Sequence, residues 1–246
     1  MKKFIYVFAA SCAIFVFSDF TIKIGSKNDE RIKETRDLPD FSGVKLAIAS
    51  NVYLTQGSPQ KVELEGIPSD LERITTNIEN GYLKISMDNW NQRIMNNVDI
   101  YITVPNIEYL SVSGSGDIMA QTDINTDKIV LNVSGSGKII IENLTAENID
   151  SHISGSGRIN LNGDKTVESY KLKISGSGRL EAEDLEVLSY DVNISGSGNA
   201  KVYAVDKIKA QISGSGSVNY NGKPKLDVHI SGSGKVKPLV FIKRND

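Results

Sequence analysis

Leu110-Ser111-Val112-Ser113-Gly114-Ser115-Gly116-Asp117-Ile118 is the stretch that decides the fold, because its central tetrapeptide returns six more times. Copies of Ser-Gly-Ser-Gly open with Ser113-Gly114, Ser134-Gly135, Ser154-Gly155, Ser175-Gly176, Ser195-Gly196, Ser213-Gly214 and Ser231-Gly232. Their spacings are 21, 20, 21, 20, 18 and 18 residues, the mark of stacked structural units rather than of a linker. Apolar residues flank each copy at alternate positions, as with Leu131/Val133 before the second and Ile139/Ile141 after it. That period of two, rich in Val and Ile, is the pattern of a half-buried strand. Counted through the motif, it puts both glycines inward and both serines outward.

The period selects the architecture. Twenty residues at about 3.3 Å each give a contour of about 66 Å, enough for two or three short strands and their corners. Turns stacked on one another satisfy each other's backbone groups, so the expected fold is all-β: a single-stranded parallel β-helix, a solenoid. The general preference of parallel crossovers makes it right-handed. Glycine serves a corner, where it tolerates positive φ and lets the next backbone approach. The serine hydroxyls then stack in outer columns with neighbours about 4.8 Å apart. Variable segments with turn residues, at 121–127, 162–168 and 221–225, fall at the opposite corner.

Four regions follow. Lys2 and Lys3 precede an apolar run from Phe4 to Phe17, too short to span a membrane comfortably, so residues 1–18 read as an export signal. Two readings of its processing stand side by side: cleavage after Ser18, or lipid attachment at Cys12, the single cysteine. Residues 19–40 are polar and charged and read as a flexible leader. Residues 41–110 lack the tetrapeptide but keep the alternation, as in Val44/Leu46/Ile48 and Val98/Ile100/Ile102/Val104, and are expected to cap the solenoid. Within them Asn80-Gly81 signals a hairpin, and Ser69 is the expected cap of a helical turn carrying Leu71 and Ile74. Residues 111–246 are the β-helix proper, and Leu239-Val240-Phe241-Ile242 is suited to covering its last turn or pairing end to end.

The chemistry of the chain is sparse. With 28 basic and 30 acidic residues the net charge is −2, which argues against a nucleic-acid partner. Gly-Ser-Gly-Lys at 135–138 and 232–235 lacks the upstream glycine and the following hydroxyl of a phosphate loop. His152 and His229 share one phase but lie four turns apart, about 19 Å, too far to share a metal. Asp184, Glu181 and Glu183 are grouped, yet adjacent turns offer no acidic residues at the same phase. No cofactor and no catalytic constellation is expected. Lys138, Arg158 and Arg179, each directly after a motif, form a candidate ligand ridge for an acidic polysaccharide or lipid phosphates. Tyr53, Tyr101, Tyr109 and Trp90 are the aromatics to locate, with core or cap packing expected.

Phe41-Ser42-Gly43-Val44 through Tyr53-Leu54-Thr55-Gln56-Gly57, then Asn80-Gly81-Tyr82-Leu83-Lys84-Ile85, then Val104-Pro105 leading into Val112-Ser113-Gly114-Ser115-Gly116, resemble the putative auto-transporter adhesin, head GIN domain family. The resemblance covers about residues 41 to 236. It implies a β-helical protein exported by a Gram-negative bacterium to the periplasm, the outer membrane or the cell surface. No catalytic residue carries over, and nothing after Gly234 resembles a membrane barrel. The expected role is a non-catalytic adhesin whose partner is a glycan, a lipid or an envelope protein. The alternatives are an assembly protein forming homo-oligomers through solenoid ends and, further off, a polysaccharide-active enzyme.

Overall fold

The computed structural model describes residues 30–88 and 97–239. The expected export signal with Cys12 and Ser18, Trp90 and the chain from Val240 onward lie outside these residues. Before the first tetrapeptide come β1 (Ile32–Arg36), β2 (Gly43–Leu46), β3 (Asn51–Gln56), β4 (Lys61–Gly66), a helical turn α1 (Pro68–Leu71), β5 (Ile74–Glu79), β6 (Tyr82–Met87) and β7 (Asp99–Val104). The repeats supply β8 (Tyr109–Gly114), β9 (Asp117–Ala120), β10 (Ile124–Gly135), β11 (Lys138–Ile141), β12 (Leu144–Gly155), β13 (Arg158–Leu161) and β14 (Gly163–Gly176). They continue through β15 (Arg179–Gly196), β16 (Asn199–Gly214), β17 (Ser217–Asn221), β18 (Lys225–Gly232) and β19 (Lys235–Pro238).

Each repeat makes one three-sided turn of a parallel β-helix. The residues before a tetrapeptide form the first side, those after it the second, and the variable segment the third. On the first side Ser113, Ser134, Ser154, Ser175, Ser195, Ser213 and Ser231 stand in one column, each paired with the next in parallel register. The second side stacks β9, β11, β13 and the start of β15 in the same way. Inward residues form apolar columns, such as Val133, Ile153, Ile174, Ile194 and Ile212, none more than 2% exposed. Burying one such side chain contributes about 1.5–3 kcal/mol, so the thin core gains its stability turn by turn.

The corner divides the labour of its two glycines, which corrects the inward placement of both. The first glycine is at the bend, exposed or half-exposed, with φ of 107° to 126° in all seven copies. At Gly135 an added Cβ would strike the carbonyl oxygen of Gly114, one turn away. The second glycine alone points inward and is buried from Gly116 through Gly216. Its missing side chain leaves room for the β-branched residue that precedes the motif one turn earlier: a Cβ on Gly178 would collide with Ile153 Cγ2. The corner also has its own ladder, since Ser156 N–H donates to Gly135 O at 2.9 Å and Arg158 N–H to Gly137 O at 3.1 Å. The serine hydroxyls are therefore not needed to satisfy the bend, and they face outward as expected.

Chain order and stacking order part company at the N-terminus. β2 lies between β6 and β8, and β3 between β7 and β9, all parallel. Residues 43–56 thus form the first two sides of a turn whose corner, Ala47-Ile48-Ala49-Ser50, stands where the next turn has Ser-Gly-Ser-Gly. The turn made by β6 and β7 is stacked on the outer side of it, although it comes later in sequence. There the parallel stack ends in antiparallel strands, β5 against β6 and β4 against β7, with β1 added to β4. Asn80 (φ 56°) and Gly81 (φ 78°) make the expected hairpin. The helical turn begins earlier than expected, with Ile67 at the N-cap and Pro68 at the first position, and Ile74 already belongs to β5.

Ile32–Arg36 is a strand, where the sequence suggested a flexible leader. Its alternation is charged rather than apolar, which is why it reads as unstructured. Arg31 bonds Asp99 at 2.7 Å and Asn97 O at 2.5 Å, and Lys33 lies 3.5 Å from Glu65 and 4.7 Å from the Tyr101 ring. Charges on an outermost strand also discourage further pairing there. Among the described residues no helix is long and apolar enough to cross a membrane.

Candidate functional site

The tetrapeptide serines form the rim of a shallow trough of about 280 Å³. Ser175, Ser195, Ser213 and Ser231 stand on one bank, and Lys173, Asn193, Gln211 and His229 on the other. His152 occupies the same column as those four, four turns from His229, as the phase count required. Among the described residues no three metal-ligating side chains come together. The candidate ridge is also one column, Lys138 beside Arg158 and Arg158 beside Arg179, followed by Asn199, Ser217 and Lys235. Its first member is drawn 3.4 Å from Asp117 of the preceding turn.

Of the aromatics singled out in the sequence, Tyr53, Tyr101 and Tyr109 stay out of the core. Tyr53 stacks on Tyr101 at 5.2 Å and Tyr82 on Tyr109 at 4.6 Å, as half-buried cross-strand pairs on the outer faces of the first turns. Tyr82 and Tyr109 sit either side of Gly43, and Lys45 Nζ lies 5.0 Å from the Tyr82 ring. Such pairs brace the outer faces rather than offer a free ring face.

A larger hollow than the serine trough is on the third side, and it collects residues that phase counting kept apart. Asp164, Glu183, Asp184, Glu186, Tyr203, Tyr220, Asn221 and Gly222 line a depression of about 650 Å³, closed at one end by Pro238 and Leu239. Its origin is the change of period. Glu183, Asp184 and Leu185 have no partner in β16, because Ala182 pairs with Val202 while Glu186 already pairs with Tyr203. The longer turn overhangs the two 18-residue turns that follow, and their tyrosines form the floor of the recess. Register slips at Gly163/Val167 and Ala182/Glu186 explain why counting by parity missed the meeting of Asp164 with the Glu183–Glu186 group. The legible signal was the step from 20 to 18 residues.

The lining is held in place. Lys201 Nζ lies 2.9 Å from Glu183, a hydrogen bond that holds the ammonium pKa up, and the Asn221 amide donates to the Glu183 carbonyl at 3.1 Å. Thr166 donates to Glu186 at 3.3 Å, and the same carboxylate raises the pKa of the Tyr203 phenol. Acceptors, a carboxamide and two phenol rings therefore converge on one open recess.

A three-sided parallel solenoid with polar outer columns and a lined recess defines the protein as a β-helix. The chain belongs to the putative auto-transporter adhesin, head GIN domain family, whose model matches residues 40–224. Its fold is that of a putative adhesin from Bacteroides fragilis NCTC 9343, with 24% identity, 85% of this chain and 97% of that one covered, and a TM-score of 0.80. A putative lipid binding protein from Parabacteroides distasonis ATCC 8503 has 22% identity, 87% and 98% coverage and a TM-score of 0.73. A putative adhesin from Parabacteroides merdae ATCC 43184 has 20% identity, 87% and 98% coverage and a TM-score of 0.71. No curated protein matches the chain.

Proposed function

We propose that the protein is a non-catalytic, exported adhesin of the cell envelope that holds a carbohydrate in the recess around Tyr203 and Tyr220. The mixed lining carries this reading: two phenol rings beside carboxylates and a carboxamide, in an open hollow of about 650 Å³. Sugars present both kinds of surface, C–H faces that pack on aromatic rings and hydroxyls that donate to carboxylates or accept from amides. Glu183 is tied to Lys201 and Glu186 to Thr166, an arrangement that suits holding a ligand. Hydrolysis would ask for two carboxyl groups facing each other across a bound glycosidic bond. The N-terminal Lys2-Lys3 and apolar run support export.

Glycan-array binding by the intact protein tests the reading. Tyr203→Ala and Tyr220→Ala each weaken the leading glycan at least tenfold, about 1.4 kcal/mol, with the far-UV spectrum unchanged. An array with no bound glycan, or binding indifferent to both substitutions, would overturn it. A second reading is favoured by the column of Lys138, Arg158 and Arg179, three stacked cations that an anionic surface would complement. It predicts salt-sensitive retention on anionic vesicles that Arg158→Glu abolishes.

A further inference from the structure

The two ends of the solenoid differ. At the N-terminal end antiparallel strands end the stack: β1 is outermost on one side and carries Lys33, Glu34 and Arg36, and β5 is outermost on the other, with Ile74 buried and Ile78 packed against the core. At the other end β18 pairs on one side only among the described residues, with β16. Its inward residues Leu226, Val228 and Ile230 are 45%, 39% and 37% exposed, while their partners Ile208, Ala210 and Ile212 are at most 2% exposed. β18 has eight residues, no proline and no register slip against β16. Its neighbour β19 is blunted by Lys235, Lys237 and Pro238.

The geometry points to a second copy of this chain as the occupant of that end, joined through an antiparallel β18–β18 pair centred on Val228. Two features of the edge argue for it. First, it is self-complementary: the two-fold sets Leu226 opposite Ile230 of the other copy, and Asp227 opposite His229, in both directions at once. Second, an outer column of alternating charge runs off the open end. Asp150, Lys171, Asp191, Lys209 and Asp227 are successive register partners, with Lys209 3.9 Å from Asp191 and Lys207 3.7 Å from Asp227. His229 of a second copy supplies the next donor in that series. The exposed apolar row closes at the same time over its own counterpart, and the two cores become one. Because the N-terminal end leaves no comparable apolar row uncovered among the described residues, the assembly stops at two copies.

Sedimentation of the full chain at about 10–100 μM is expected to show a dimer. Val228→Lys abolishes it with an unchanged far-UV spectrum. His229→Glu, which faces Asp227 with a like charge, weakens it at least tenfold, and Asp227→Lys with His229→Glu recovers most of that loss. A monomer over this concentration range would overturn the proposal. So would growth beyond the dimer, or a dimer that survives Val228→Lys. A monomer that dimerises only when residues 240–246 are removed would name the chain's own tail as the occupant instead.

Discussion

Tyr170 and Tyr190 are the residues at which the thin core departs from simple aliphatic packing. They stack at 5.1 Å in adjacent turns, wholly enclosed, in a column that holds Ile149 on one side and Ile208 on the other. The Tyr170 hydroxyl shares a 2.8 Å hydrogen bond with buried Ser151, whereas the Tyr190 hydroxyl has no partner among the described residues. Tyr170→Phe therefore strands Ser151 and costs about 1 kcal/mol, while Tyr190→Phe is neutral or stabilising by up to about that amount. Burial raises the pKa of both phenols above the ordinary 10.0. In the unfolded chain they lose protons near pH 10, in the folded chain only well above it. Their contribution is thus complete below pH 10 and lost as the pH rises beyond it. Thermal melts from pH 8 to 11.5 are expected to show that decline in the native protein and a flatter profile in the double Phe variant.

At the scale of single elements, the corner couples one turn to the next through a contact that no single residue reveals. Gly178→Ala drives a Cβ into Ile153 Cγ2, an overpacking expected to cost about 1–3 kcal/mol. Ile153→Ala alone opens a cavity at about 2–5 kcal/mol. Chemical denaturation of the double variant should give a loss smaller than the sum by at least about 0.5 kcal/mol, because the new methyl occupies the space the isoleucine left. Simple additivity would remove the coupling. The same corner shows what was legible in the sequence. Alternation gave the apolar columns and the outward serines, because parity is conserved wherever strands are unbroken. It failed at the first glycine, where positive φ rotates the chain out of phase, and at Glu183–Leu185, where residues loop out of the ladder. Ile32–Arg36 was hidden for another reason: a strand held by backbone pairing and ion pairs leaves no apolar signature. The recess was missed because its walls come from segments whose lengths differ between turns.

For the whole molecule, each turn touches only its neighbours, so a complete turn is removable. Deleting residues 199–216 joins Gly198 to Ser217, which already holds the register position of Asn199. That 18-residue deletion is expected to fold with a native-like spectrum and a cooperative melt. Deleting 17 residues from the same place reverses inside and outside in all that follows and should not fold. A cooperative melt from the 17-residue deletion would show that the columns do not govern the fold. The inverted stacking order at the N-terminus has a consequence in time. During synthesis the turn at residues 43–56 appears first, yet both of its neighbours in the stack come later, the outer one at 82–104 and the inner one at 109–120. It cannot act as a finished platform when it emerges. The earliest stable nucleus must gather about eighty residues, from β2 to β9, around a central turn laid down before either flank. After that, growth runs one way, each new coil of about twenty residues docking on the last, so a pause in delivery leaves a folded stub rather than a tangle.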